Sequence, residues 1–421
     1  MPATGLFSQW PVREGTRWTP QRLAWVSLLM AWGEGQTLVT RFQQARETAR
    51  ELHKHWRVGH AYSGFAQAMV RTSPEVLDGL KKRFRGQMES FPRRFRDREG
   101  FCILAVDGSR IECPHTAVNE EGLGCAGREK TGPQVFVTTL WHAQLGLPWD
   151  FRTGPGTDSE RRHLDQMLAD LPERTLLLAD AGFVSFDLCR WLLEKGHAFV
   201  LRVGSNVRLL TGLNYEYEQH GDIVYLWPKK RRHLPPLKLR LIRLREAQGQ
   251  PIYLLTDILD KKQLSDKKAQ RLYRMRWGIE VFYRSLKQTL QHRRLLSRTP
   301  ETCIAEAQWT LLGLWLLGLM TVRQQLPRGL DPLKWSVAKA RDAVRRATRE
   351  PGRSTRRQRL SLSAAFALAV QDAYTRRRPK RARNYPRKKR ESPPGPPKIK
   401  PATTLEQRLA KELRSRMTAV S

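Results

Sequence analysis

Apolar residues recur at the spacing of an α-helix through the N-terminal part of the chain. Thr19 followed by Pro20 is a helix-start signal, because threonine caps a first turn and proline fits its first position. Gly33 ends this first helix. The same spacing predicts further helices over 37–55, 63–70 and 73–90. We therefore expect residues 1–95 to form a helical domain.

From Gly100 the pattern changes to short, continuous apolar runs. Residues 101–106 (FCILAV) and 175–179 (TLLLA) are typical of strands that are buried on both faces, and each run is followed by an aspartate. Further strands are predicted over 134–143, 147–152 and 197–203, and helices over 158–171 and 185–195. Strands that come first as a meander and then alternate with helices indicate a mixed α/β sheet within residues 96–203.

Residues 204–250 return to short strands, which predicts a β insertion. The predicted strands are 207–210, 223–227 and 237–244. The basic loop Lys229–His233 either follows a DNA backbone or is a solvated hairpin tip. A core-like strand is predicted over 251–256. It begins the segment 251–330, which we expect to complete the α/β core. The longest apolar run, 309–322, is too short to span a bilayer, which needs about 20 residues, and it predicts a buried helix.

Residues 273–287 (YRMRWGIEVFYRSLK) predict a helix with two distinct sides. Its apolar residues step by four, three and four, at Met275, Ile279, Phe282 and Leu286. Four polar residues lie on nearly the same other side, namely Tyr273, Arg276, Glu280 and Lys287. Such a side can hold a divalent metal through the carboxylate while the phenol and the cations bind phosphates. The alternative is a solvated side in which Arg276 and Glu280 form an ion pair.

The aspartates that follow the two buried runs are Asp107 and Asp180. In open α/β sheets the working residues collect at strand ends, although an aspartate before a glycine is also a common turn former. Two such acids together with Glu280 indicate a functional site more specifically than any one of them does. Reserve candidates, should one be misassigned, are Glu112, Asp150, Asp158 and Glu160.

Charge changes the picture most. The chain has 76 Lys and Arg against 40 Asp and Glu, a net charge of +36, which predicts a polyanionic partner: nucleic acid first, an anionic membrane second. The helical domain, basic at its far end, could dock on DNA or pack only on the next domain. Residues 331–421 are strongly basic, and 376–400 contain twelve Lys or Arg and six Pro. This composition predicts a disordered tail that binds phosphates, with a short helix over 405–417.

The five cysteines are scattered and form no CxxC pair, which favours a reducing compartment over a zinc site or a disulfide framework. His53, His55 and His60 lie near one another, but no carboxylate or cysteine pattern supports a metal there. The N-terminus has no signal pattern. At 421 residues, two or three domains are expected.

The spacing Tyr-x2-Arg-x3-Glu-x6-Lys from Tyr273 to Lys287 resembles the Y-R-E-K signature of the transposases of the family-four bacterial insertion sequences. The Asp-Gly-Ser at Asp107 and the Asp-x-Gly-Phe at Asp180 are similar to the other two acidic blocks of that family. All three blocks occur in family order, and a β insertion separates the second from the third. The resemblance covers about residues 95–325.

This resemblance implies a ribonuclease-H-like fold with a DDE triad of Asp107, Asp180 and Glu280 that binds two Mg²⁺ or Mn²⁺ ions. It also implies contacts to the DNA end by Tyr273, Arg276 and Lys287. Trp277, inside the signature, either stacks on an unpaired base or packs in the core. Carboxylates suit such hard cations, and two ions can promote in-line displacement at phosphorus.

The expected activity is metal-dependent cleavage and joining of insertion-sequence ends. The expected partner is double-stranded DNA, bound by a dimer, with no membrane association and a cytoplasmic, nucleoid-associated location. The alternatives are a catalytically silent DNA-binding protein derived from a transposase and a nuclease of the same fold, which would cut but not join.

Overall fold

The structure is a computed structural model. It describes residues 7, 10, 12–126, 132–216, 221–245, 251–349, 361–372 and 395–418. The α-helices, in chain order, are α1 Pro20–Trp32, α2 Leu38–Leu52, α3 Tyr62–Glu89, α4 Arg93–Arg96, α5 Ala117–Leu123, α6 Glu160–Asp165, α7 Phe186–Glu194, α8 Asp266–Met275, α9 Trp277–Arg284, α10 Pro300–Gln325, α11 Val337–Arg349, α12 Leu362–Ala367 and α13 Thr404–Thr418.

The strands, in chain order, are β1 Asp97–Arg98, β2 Phe101–Glu112, β3 Gln134–His142, β4 Leu147–Pro155, β5 Thr175–Ala179, β6 Ala198–Val203, β7 Arg208–Thr211, β8 Ile223–Leu226, β9 Leu237–Arg245, β10 Pro251–Thr256 and β11 Lys398–Pro401. The predicted fold class is confirmed: the protein is a mixed α/β structure with a helical N-terminal region and a β insertion.

The chain forms two compact units. The first comprises Met1–Arg98, Asp107–Ala169 and Gly278–Gln371, and the second comprises Glu99–Val106, Asp170–Trp277 and Asp372–Ser421. The N-terminal helices, predicted as a domain of their own, thus belong to the first unit. One contact that joins these helices to the rest of the first unit is a hydrogen bond of 3.0 Å. The indole N–H of Trp32, in α1, donates it to the main-chain oxygen of Gly313, in the middle of α10.

Helix α1 begins as predicted, with the Thr19 hydroxyl accepting a hydrogen bond of 3.3 Å from the N–H of Arg22. The predicted break between 63–70 and 73–90 is wrong, since α3 is continuous and contains Pro74. Proline removes one backbone hydrogen bond from a helix interior. Buried residues on both sides of Pro74, such as Met69 and Leu77, keep the helix intact by packing.

Helix α10 is the buried helix that the apolar run predicts. Pro300–Arg328 is long and apolar enough to cross a membrane, yet 83% of its most apolar 18-residue window is buried inside the protein, as in a core helix. Thr299 and Thr302 form a reciprocal capping box at its start. Trp315, fully buried in α10, packs edge-on against Phe84 of α3 with ring centroids 5.4 Å apart.

In the first unit, β3 pairs antiparallel with β4, and β3 lies beside β2. In the second unit, β2 and β6 both pair parallel with β5. The insertion strands extend the second unit's sheet in antiparallel steps, from β6 through β10, β9 and β8 to β7. The β insertion is therefore part of a larger sheet.

The C-terminal region differs from its prediction. Residues 398–400, expected within a disordered tail, belong to β11, which pairs parallel with β7. The predicted helix over 405–417 is confirmed as α13, which is tied to the insertion by an ion pair between Glu406 and Arg232. The rest of the predicted tail, residues 376–394, lies outside the described residues.

Candidate active site

The two aspartates follow aligned residues of neighbouring parallel strands. In the pairing of β2 with β5, Val106 is aligned with Ala179, and Asp107 and Asp180 are the next residues of each chain segment. Strand β5 ends there, as predicted. Strand β2 does not, because it continues to Glu112. What ends at Val106 is the fully buried run, together with the pairing to β5.

Asp107 lies in the first unit, within β2, in the segment Asp107-Gly108-Ser109. Its Oδ1 accepts a hydrogen bond of 2.8 Å from the N–H of Gly108. Its main-chain oxygen accepts one of 3.0 Å from the Tyr283 hydroxyl. A Cβ placed on Gly108 would lie 2.7 Å from Oε1 of Glu160 and 2.8 Å from Cζ of Phe136, so a larger residue there would force a neighbour to move.

The helix predicted over 273–287 is interrupted. Helix α8 ends at Met275 and α9 starts at Trp277, and residues 285–289 form a π-helical stretch. At the interruption the N–H of Arg276 bonds to the main-chain oxygen of Tyr273 at 3.1 Å, a tighter turn than an α-helix makes. The unit boundary falls one residue later, after Trp277. The sequence pattern shows none of this, because its spacing is preserved across the interruption.

The apolar side is mostly as predicted. Ile279, Phe282 and Leu286 are buried, while Met275 is half-buried. Gly278 permits close packing, since a Cβ there would lie 2.9 Å from Nε1 of Trp141. This packing holds α9, which carries Glu280, against Trp141 of β3 in the first unit.

Lys287 also lies in the first unit, where its Nζ donates a hydrogen bond of 2.8 Å to the Ser109 hydroxyl. The structure thus brings Glu280, Lys287 and Asp107 into one unit, and the side chain of Lys287 contacts the strand that carries Asp107. Glu280 is half-buried.

Asp180 lies in the second unit with the other residues of the signature. Its Oδ1 accepts a hydrogen bond of 2.8 Å from the N–H of Ala181, and Nη1 of Arg202 is 3.9 Å from that same oxygen. Burial, and to a smaller extent the charge of Asp180, raise the pKa of Tyr273 to about 12. The guanidinium of Arg276 lies 5.7 Å from the centre of the Tyr273 ring.

Two of the predicted DNA contacts have unexpected exposures. Tyr273 is only 9% exposed, so its ring supports Arg276 and has little surface of its own for a ligand. Trp277 is 56% exposed, which contradicts the alternative that it packs in the core. The other alternative, that Trp277 stacks on an unpaired base, remains a prediction.

Two of the four reserve acids, Asp150 and Asp158, have partners elsewhere. Asp150 is fully buried and lies 3.1 Å from Nζ of Lys81, with Arg85 and Arg152 at 3.6 and 3.2 Å. Asp158 bonds to Nε2 of His163 at 2.9 Å and pairs with Arg162, whereas Glu112 is exposed and ends β2. Glu160 alone stays close to Asp107, through its contact with Gly108.

The basic loop of the insertion is only partly available to a ligand. Arg231 makes two hydrogen bonds to the carboxylate of Asp187, at 3.0 and 2.8 Å. Arg232 lies 4.2 Å from the centre of the Trp227 ring and pairs with Glu406. Lys229, Lys230 and His233 are exposed, so the two alternatives for this loop, DNA contact and a solvated tip, both remain.

The donor chemistry of the aspartates suits a hard divalent cation, whose preferred ligands are carboxylate oxygens. Among the described residues, no group of three or more His, Cys, Asp or Glu side chains is arranged as a metal-ligand set. The chemistry of the candidate ligands therefore fits a divalent metal, but the described residues do not form a ready-made cage.

Tyr283 was not among the predicted site residues. It lies three residues after Glu280, about one helical turn along, and it is a tyrosine beside the apolar residues of the buried side of the helix, which was the available sequence signal. Ser109 was not predicted as a site residue either, although it accepts a hydrogen bond from Lys287.

Comparisons with known proteins identify the family of the chain. Residues 98–316, more than half of the chain, match the family described as transposase DDE domain. The transposase InsG of insertion sequence element IS4 from Escherichia coli (strain K12) is 29% identical over 251 residues, which cover 56% of this chain and 54% of that protein. The chain thus spans about half the length of this curated relative.

A cryo-EM structure of the piggyBac transposase synaptic complex with hairpin DNA is similar with a TM-score of 0.45 and 11% identity, covering 88% of this chain and 81% of that one. The family match includes Asp107, Asp180, Tyr273, Glu280 and Lys287. It confirms the predicted resemblance to family-four insertion-sequence transposases: the chain belongs to the transposase DDE domain family.

Proposed function

We propose that the protein is a DNA transposase that cleaves and joins the ends of an insertion sequence by metal-dependent phosphoryl transfer. The observation that carries this proposal is the register of β2 and β5, which aligns Val106 with Ala179 directly before Asp107 and Asp180, within the region that matches the family. Members of this family generally use divalent metal ions.

In this proposal Asp107, Asp180 and Glu280 are the catalytic residues and hold two Mg²⁺ or Mn²⁺ ions. When bound, such ions activate the attacking oxygen and stabilise the leaving oxygen of an in-line displacement. In cleavage, a water oxygen bonds to phosphorus and the 3′ oxygen of the element end leaves as a hydroxyl. In joining, that hydroxyl bonds to a target phosphorus, and the target's own 3′ oxygen leaves.

The other residues of the signature bind the DNA end. Lys287 and Arg276 supply positive charge for phosphate oxygens, and Tyr273 acts by supporting Arg276, since it is itself buried. Trp277 is exposed and offers a ring on which an unpaired base can stack, which is worth about 1–3 kcal/mol per base.

The partner is double-stranded DNA, both element end and target, and the net charge of +36 supports strong phosphate attraction. Bringing two ends together calls for a dimer on DNA. A cytoplasmic, nucleoid-associated location follows from such a partner.

The test uses the purified full-length chain and a labelled duplex that carries the element end and flanking DNA, with Mg²⁺ or with EDTA. We expect nicking at the element boundary that requires Mg²⁺. The variants Asp107→Asn, Asp180→Asn and Glu280→Gln should each lose cleavage while retaining duplex binding. Glu121→Gln, at an exposed glutamate of α5, is the matched control and should cleave normally.

Full cleavage by any one of the three variants would remove that residue from the triad. Tight binding with no cleavage in Mg²⁺ or Mn²⁺ would favour a catalytically silent DNA-binding protein. Cleavage without joining of the freed 3′ end to a target duplex would favour a nuclease of the same fold.

A further inference from the structure

The hydroxyl of Tyr283 lies within hydrogen-bonding distance of two main-chain oxygens and one side-chain hydroxyl, all in the first unit. It is 3.0 Å from the main-chain oxygen of Asp107, 3.0 Å from Oγ1 of Thr139 and 3.4 Å from the main-chain oxygen of Val137. Asp107 belongs to β2, and Val137 and Thr139 belong to β3. One phenol on α9 therefore contacts two strands at once.

Tyr283 is suited to donate in this position. The side chain is 6% exposed, and burial raises the pKa of its phenol above the usual value, so the hydroxyl keeps its hydrogen. A phenol has one hydrogen to donate and can accept others. The carbonyls of Asp107 and Val137 can only accept, whereas the Thr139 hydroxyl can also donate, so the single phenolic hydrogen is available to the nearer carbonyl, that of Asp107.

The contact couples two residues of the proposed triad. Tyr283 follows Glu280 by three positions, and residues at this spacing lie on the same face of a helix, about one turn apart. The residue whose carbonyl Tyr283 contacts is Asp107 itself. A rotation or slide of α9, which carries Glu280, relative to the Asp107 segment of β2 would have to break this hydrogen bond.

A second contact, from Lys287 to Ser109, meets the same strand two residues beyond Asp107. The bond from Tyr283 is buried, whereas Lys287 and Ser109 are only half-buried. Hydrogen bonds that are shielded from water are the more effective at fixing geometry.

We infer that Tyr283 is a positioning residue, whose hydroxyl fixes α9, and with it Glu280, against the segment of β2 that carries Asp107. This inference rests on the proposed function, because it concerns how two of the proposed metal ligands are held. Misplacement of reacting groups by about 1 Å can cost roughly a hundredfold in rate, so the hydroxyl acts on catalysis through geometry.

The test is Tyr283→Phe, which keeps the ring and removes the hydroxyl. Cleavage of the labelled element end is measured over a range of Mg²⁺ concentrations, duplex affinity is measured in EDTA, and thermal unfolding is followed by circular dichroism. We expect the cleavage rate at saturating DNA to fall roughly ten- to a hundredfold and the Mg²⁺ concentration for half-maximal rate to rise, with duplex affinity unchanged.

Two control variants separate positioning from a general loss of packing. Thr139→Val removes one neighbour of the hydroxyl but leaves its bond to Asp107, so cleavage should fall much less. Tyr225→Phe removes another buried tyrosine hydroxyl, which donates at 3.4 Å to the main-chain oxygen of Glu216 in the β insertion, and cleavage should be unchanged.

The outcomes distinguish this inference from the proposed function. If the unaltered protein does not cleave in Mg²⁺, the proposed function fails and not merely the role of Tyr283. If the unaltered protein cleaves and Tyr283→Phe has the same rate and the same Mg²⁺ dependence, the inference is overturned. It is also overturned if Thr139→Val loses as much activity as Tyr283→Phe, since the Asp107 contact is then not the cause.

Discussion

Lys287 donates a hydrogen bond to the hydroxyl of Ser109 across 2.8 Å, so the last residue of the Y-R-E-K pattern lies against the strand that carries Asp107. The ammonium group is therefore positioned by the protein before any DNA binds. Preorganised charge of this kind contributes most where negative charge develops on a phosphate during reaction.

The variant Lys287→Met should reduce cleavage of the element end by roughly a hundredfold, because the charge is removed while the length of the side chain is kept. Ser109→Ala removes only the partner hydroxyl and leaves the ammonium, so its loss should be much smaller. Single-turnover cleavage of a labelled duplex measures both. Equal losses would show that Lys287 acts mainly through Ser109 and not on the phosphate.

Gly108→Ala should abolish most cleavage while leaving duplex binding intact. The added methyl would lie 2.7 Å from Oε1 of Glu160 and 2.8 Å from Cζ of Phe136, so the segment beside Asp107 or these two side chains must shift. Gly86→Ala is the control, because a Cβ at Gly86 meets nothing within 4 Å, and alanine favours a helix over glycine by about 1 kcal/mol. Normal cleavage by Gly108→Ala would contradict the close packing at this segment.

Asp150→Ala should destabilise the protein by about 3–5 kcal/mol, because it leaves Lys81 buried without its carboxylate. Burial lowers the pKa of Lys81, and the nearby Asp150 charge opposes that shift. Thermal or urea unfolding measures the loss, with Glu75→Ala on the exposed side of the same helix α3 as control. A stable Asp150→Ala protein that has lost cleavage alone would return Asp150 to the list of catalytic candidates.

Stability should fall as the pH is lowered from about 6.5 towards 4. Burial lowers the pKa of His292 to about 4 and that of His142 to about 3. Between those values and the ordinary histidine pKa of about 6.5, the unfolded chain binds protons that the folded protein excludes, so acid favours unfolding. The cost for His292 is on the order of 3 kcal/mol once the pH is below its folded pKa.

Melting temperatures between pH 5 and pH 8 measure this effect. His292→Gln keeps a donor for the carbonyl of Ala31, which lies 3.3 Å from Nε2 of His292, and should make stability less dependent on pH. His60→Gln, at the surface, is the control. An unaltered pH dependence in His292→Gln would show that another group is responsible.

The C-terminal region should divide into two parts with different effects. Deleting residues 395–421 removes β11 and α13, which leaves Arg232 without Glu406 and uncovers the edge of β7, so the melting temperature should fall by about 5 °C. Neutralising the ten basic residues of 376–390 should instead flatten the salt dependence of duplex binding, by up to about nine units of slope. This prediction would be contradicted if deleting 395–421 flattened the salt dependence and neutralising 376–390 lowered the melting temperature.

The residue pattern alone determined the local features. The apolar runs before Asp107 and Asp180 predicted buried strands because such runs are too short and too continuous for an amphipathic helix. Thr19 before Pro20 fixed the start of α1 because the cap involves only neighbouring residues. The spacing from Tyr273 to Lys287 pointed to the family because it is a property of residue order.

Only the tertiary structure decided the features that depend on contacts between distant residues. Helix α3 runs through Pro74, and β2 runs beyond Asp107, because packing elsewhere outweighs the local signal. The C-terminal β11 finds its partner β7 nearly two hundred residues away, which composition could not indicate. Tyr283 gained its role in the same way, since the carbonyl it contacts is 176 positions earlier in the chain. Sequence periodicity specifies which face of an element is apolar, but only folding specifies which polar groups meet.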